Sequence, residues 1–117
     1  MKLIGSRAEN EYRDELIRSH ESLFEDKSKR DILRALCKRY PDIQTAYTIG
    51  WISEQGEDIY TFLIDTSLIS VVEVGRLDSG DKVIIKVMSL SEYQKNLSKA
   101  DRLKLAVAVD LAESEGC

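Results

Sequence analysis

The sequence predicts an α+β fold: two N-terminal helices, a four-stranded antiparallel sheet and a C-terminal helical region packed on one sheet face. Three observations predict it. Apolar residues recur at helical spacing up to Tyr40, alternate with polar ones between Ile43 and Met88, and regain helical spacing after Ser89. Pro41 marks the first change, because a proline pushes the residue before it away from helical geometry. The connections inside the middle segment are short, which favours antiparallel pairing of neighbours. Helices segregated from strands in this way pack as separate layers.

The first helix is expected over residues 6–25. Ser6 and Glu9 have capping-box spacing, and Ala8, Tyr12, Leu16 and Leu23 form a stripe that Ile17 and Phe24 widen. Ser28 and Asp31 repeat the capping pattern, and Ile32, Leu33, Leu36, Cys37 and Tyr40 make the buried face of a second helix over 28–40. In the first strand Ile43, Thr45, Tyr47, Ile49 and Trp51 share one face by alternation. Asp58 to Ile64, Leu68 to Val74 and Val83 to Val87 read as three further strands. Between them lie polar turns, and Gly80 supplies the freedom of positive φ in the last. Ser89 with Glu92, and Ser98 with Asp101, cap two helical pieces with a break near 96–98. The final helix, expected over 98–114, is apolar on most sides between Leu103 and Ala112 and reads as well buried.

The chain has 117 residues, 43% of them hydrophobic and 32% charged, which suits one compact domain rather than a disordered chain. Its longest aliphatic run, Leu105 to Val109, falls far short of the ~18–20 residues of a membrane helix. Glu9 and Glu11 interrupt the N-terminus before any signal-like apolar stretch develops. Cys37 and Cys117 do not make a disulfide framework, and a cytoplasmic location is expected.

The net charge of −4 conceals a gradient. Residues 42–81 hold one basic residue, Arg76, against eight acidic ones: Asp42, Glu54, Glu57, Asp58, Asp65, Glu73, Asp78 and Asp81. Such a field accelerates encounter with a basic partner by ~10–1000-fold at low salt. Plain solubility is the other reading of the same residues. Nucleic acid is disfavoured, because a phosphate-binding surface needs Lys and Arg to replace counterions. The basic residues of the second helix are interleaved with Asp26 and Asp31 and read as a solvated face. Trp51 and Tyr60 sit beside the acidic turn, and both are common interface anchors.

No catalytic constellation stands out. His20 is the sole histidine, so every His-dependent mechanism would need it, and it reads as a partly exposed helical residue. One His and two separated Cys do not give zinc spacing. No phosphate loop or dinucleotide turn is present, and no cofactor is expected. Asp65 and Glu73 flank the third strand in the manner of a metal-dependent nuclease. The lysine that restriction-like nucleases place two residues after the second carboxylate is Gly75 here. Arg76 follows one residue late and, by alternation, points to the other face.

In size, single-domain format, the acidic segment from Asp42 to Asp81 and the lack of catalytic constellations, the chain resembles the small acidic immunity proteins of contact-dependent and other polymorphic toxin systems in bacteria. That resemblance implies a non-catalytic inhibitor that binds a basic toxin domain, often a nuclease, as a monomer or 1:1 heterocomplex. The partner-binding residues would be Trp51, Glu54, Glu57, Asp58, Tyr60, Asp65, Glu73, Asp78 and Asp81, with no metal. A secretion chaperone or adaptor, more often dimeric, is the alternative within the interaction class. The metal-dependent nuclease is the enzyme alternative.

Overall fold

The computed structural model describes residues 3–54, 56–75 and 83–115. Helix α1, Arg7–Glu25, opens on Ser6, whose hydroxyl accepts from the Glu9 amide. The Glu9 carboxylate returns the bond and gathers the amides of Ile4, Gly5 and Ser6 at 3.0–3.2 Å and the Ser6 hydroxyl at 2.7 Å. A 3-10 turn, Lys27–Lys29, leads into α2, Arg30–Arg39. Lys29 takes the cap position of this helix and makes no side-chain cap bond, and the Ser28 side chain, where the sequence places a capping box, lies outside the described residues.

The strands are β1, Ala46–Glu54, β2, Glu57–Ile64, β3, Leu68–Gly75, and β4, Val83–Ser89. They form an antiparallel meander in the order β1-β2-β3-β4. The first strand begins three residues later than the alternation suggests. After Pro41 the Ile43 amide turns back to the Tyr40 carbonyl, and Asp65 in the β2–β3 turn then receives the amides of Gln44 and Thr45 at 2.9 Å each. Asp65 adopts φ of 50°, a left-handed conformation that Asp tolerates better than most residues.

Helix α3, Leu90–Gln94, starts on the Ser89 cap, and α4, Lys99–Glu115, follows the expected break. Leu105, Val107, Ala108, Leu111 and Ala112 of α4 pack with Leu16 of α1 against Tyr47, Ile49, Leu63 and Ile69. The C-terminal helix therefore covers one sheet face. Ion pairs between Arg13 and Asp110 and between Lys104 and Glu15, each at 3.0 Å, join α1 to α4.

Ala46, Phe62, Ile64 and Val72 alternate with that set, so they point to the opposite face. There they meet Ile32 and Leu36 of α2 and Leu23 of α1. The second face thus has a cover of its own, provided by an amphipathic helix that a one-sided sheet does not require. Cys37 lies outside this contact and is exposed, which corrects its placement on the buried stripe.

Helix α1 contributes to both clusters because it runs along the β1 edge. Ser19 Oγ accepts the Thr48 amide at 3.2 Å, and His20 Nδ1 lies 3.3–3.4 Å from the carbonyl and amide of Ala46. The His20 ring sits between Phe24 and Tyr47, at centroid distances of 4.6 and 5.1 Å. His20 is thereby a half-buried edge cover.

Candidate functional site

The geometry of the β1–β2 hairpin turns on one irregularity. The register steps from Thr48↔Phe62 to Gly50↔Thr61, so Ile49 is an extra residue. A β-bulge of this kind reverses the facing of everything after it. Tyr47 and Ile49 remain on the α4 face. Trp51, which uninterrupted alternation would place with them, emerges on the other face directly opposite Tyr60. The sequence reading of a single Ile43–Trp51 face is corrected at this point.

Trp51 is 61% exposed. Its ring stacks on Tyr60 at a centroid distance of 6.5 Å, and Tyr60 stacks on the fully buried Phe62 at 5.8 Å. The row runs from core to solvent, so the outer ring is backed by a rigid support. Asp58 lies on the same face, opposite Ser53, and its Oδ1 accepts the Trp51 indole N–H at 3.4 Å. One hairpin therefore presents an aromatic plane and a carboxylate side by side.

Glu54 and Glu57 pair in backbone register across the hairpin end; Glu57 is on the face opposite Trp51 by alternation, and the Glu54 side chain lies outside the described residues. Glu73 shares that second face, where it pairs with Ile59 in register and meets Lys86 at 3.6 Å. Asp65 is at the far end of the sheet, in the β2–β3 turn, with Oδ1 holding the entry to β1. The two carboxylates of the nuclease pattern consequently sit at opposite ends of β3. Asp78 and Asp81 lie outside the described residues. Trp51, Asp58 and Tyr60 are thus brought together, with Glu57 on the reverse face.

A groove of about 530 Å³ lies beside Trp51 and Tyr60. Glu15 and Ser19 of α1, Lys29, Thr48, Gly50 and Lys104 complete its wall. Both lysines are engaged, Lys104 with Glu15 at 3.0 Å and Lys29 with the Ser22 hydroxyl at 2.9 Å. A larger groove of about 810 Å³ runs between α3 and α4 over Leu90, Ala106 and Val109. Neither is visible in the sequence, because each depends on which helices meet.

The reverse side of the hairpin end carries Ile52 and Ile59, with Ile84 of β4 in the same cross-strand row. Ile52 is 54% and Ile84 50% exposed. Their signal in the sequence was strand alternation that placed apolar residues on both faces. Among the described residues no group of three or more His, Cys, Asp or Glu is arranged to hold a metal ion. No described helix is long and apolar enough to cross a membrane. The chain matches no protein-family model, no curated protein and no solved structure.

Proposed function

We propose that the chain is a non-catalytic binding protein, an immunity-type inhibitor that engages a basic toxin domain through the β1–β2 hairpin and occludes its active or substrate surface. The exposed Trp51, stacked on Tyr60 and hydrogen-bonded to Asp58, is the observation that carries this reading. A tryptophan buries ~150–250 Å² when covered. At about 25 cal/mol per Å², covering its exposed share is worth about 2–4 kcal/mol, none of it realised in the free chain. Asp58 beside it favours Lys and Arg on the partner, and an Arg can lie over the indole face as well as pair with the carboxylate.

The test mixes the purified chain with the terminal domain of a toxin-bearing protein encoded beside it. Saturation at one toxin domain per chain, with loss of toxin activity, is the expected result. The same mixture made with Trp51→Ala should bind at least tenfold more weakly. Cleavage of nucleic acid by the isolated chain with Mg²⁺ or Mn²⁺, lost in Asp65→Ala or Glu73→Ala, would replace this reading with the nuclease one.

A further inference from the structure

The groove of about 810 Å³ between α3 and α4 takes no part in the hairpin reading. Its floor is apolar: Leu3, Leu90, Ala106 and Val109 line it as half-buried residues, over the buried Leu105. The charges around that floor are sorted along it. Lys95 caps the end of α3 and Arg102 lies in the first turn of α4, so both cations stand where the two helices join. Among the described residues neither side chain makes an ion pair, in contrast to Arg13 and Lys104, which both do. Asp110 and Glu113 line the groove roughly two and three turns further along α4. The Asp110 carboxylate is engaged by Arg13 at 3.0 Å.

We propose that this groove binds a free fatty acid, a single-chain carboxylate with its head at Lys95 and Arg102 and its alkyl tail along Leu90, Ala106 and Val109. This does not rest on the hairpin reading. Charge sets the head and the direction. An anionic group gains from two cations that hold no carboxylate of their own, and it is repelled at the Asp110 and Glu113 end. The ligand is therefore oriented, and a second carboxylate at the end of the tail is disfavoured.

The walls set the tail. Both are helices, whose backbone amides and carbonyls are bonded within the helix. An extended peptide laid there would find no backbone partner, whereas an alkyl chain needs none. Between Arg102 and Glu113 α4 rises roughly 16 Å, the length of an extended chain of roughly twelve carbons. The groove volume falls within the ~300–1,000 Å³ of small-molecule sites. Each methylene fully covered by the floor strengthens binding about fourfold, so the tail supplies affinity and the two cations supply selectivity.

Calorimetric titration of dodecanoate into the full chain, below the concentration at which it forms micelles, tests this. The expected result is saturation at one dodecanoate per chain, with affinity rising from octanoate through decanoate to dodecanoate. Dodecyltrimethylammonium has the same tail and the opposite charge, and should bind about tenfold or more weakly. Lys95→Gln with Arg102→Gln changes only exposed side chains, so the fold should persist. That double variant should bind dodecanoate about fivefold or more weakly and dodecyltrimethylammonium no more weakly than the native chain does. The Val109 methyl resonances should shift during the titration and the Trp51 indole resonance should not. No saturable binding by the native chain, which would leave the groove to a protein segment, would overturn the proposal. So would equal binding of the cationic amphiphile, a double variant that binds dodecanoate as the native chain does, or shifts at Trp51 in place of Val109.

Discussion

Glu9 is a carboxylate enclosed by its own helix start, 2% exposed and surrounded by donors from Ile4, Gly5 and Ser6. The Ser6 hydroxyl and backbone, then the Gly5 and Ile4 amides, hold its pKa below the ordinary 4.5 against the opposing effect of burial. A lowered folded-state pKa means that the unfolded chain takes up the proton first. The stabilisation is therefore complete well above pH 4.5 and is lost as pH falls through the lowered value. Glu9→Gln should lower the melting temperature at neutral pH, and the difference from the native chain should close in acid. Thermal melts across pH 3–7 check this, and a constant difference would contradict it. Trp51 illustrates the opposite case. Its cross-strand contact with Tyr60 is worth only ~0.2–1 kcal/mol, so Trp51→Ala should barely change the urea midpoint. Phe62→Ala, in the buried inner ring of the same row, should cost about 3–5 kcal/mol.

At the scale of elements, most of the architecture follows from local chemistry. Ser6 with Glu9 starts α1, Ser89 starts α3, and Ser98 accepts the Asp101 amide at the head of α4. Pro41 ends α2 by steric exclusion. These signals act within four residues, so the sequence carries them openly. The bulge at Ile49 does not announce itself in this way. A strand with one extra residue keeps the same composition and nearly the same alternation, and only the pairing with β2 reveals the shift. Cys37 was misplaced for a related reason: helical spacing defines a stripe, but its width depends on what α2 packs against. The bulge makes a direct prediction. Trp51 on the open face should emit as a solvated indole and be readily quenched by acrylamide. A blue-shifted, protected emission would place it with Tyr47 in the core and remove the bulge.

For the whole molecule, the charge gradient was legible and its distribution in space was not. The eight acidic residues of the middle segment are close in sequence, but the meander sends them to different places. Asp65 ties down the base of β1, Glu73 engages Lys86, and Glu57 and Asp58 occupy opposite faces of the β1–β2 hairpin. Of these, Asp58 shares the face of Trp51 and accepts its indole N–H. An acidic segment that serves solubility alone would be insensitive to which of its members is neutralised. A docking surface would not. The most direct measurement is the association rate of the proposed partner, a basic toxin domain, with the native chain and with the triple variant Glu54→Gln, Glu57→Gln, Asp58→Asn, at low and moderate salt. If the hairpin is the contact, the variant associates about tenfold or more slowly at low salt, and its rate depends less steeply on ionic strength. Unchanged rates and affinity in that variant, together with unchanged binding by Trp51→Ala, would contradict the hairpin as the binding surface.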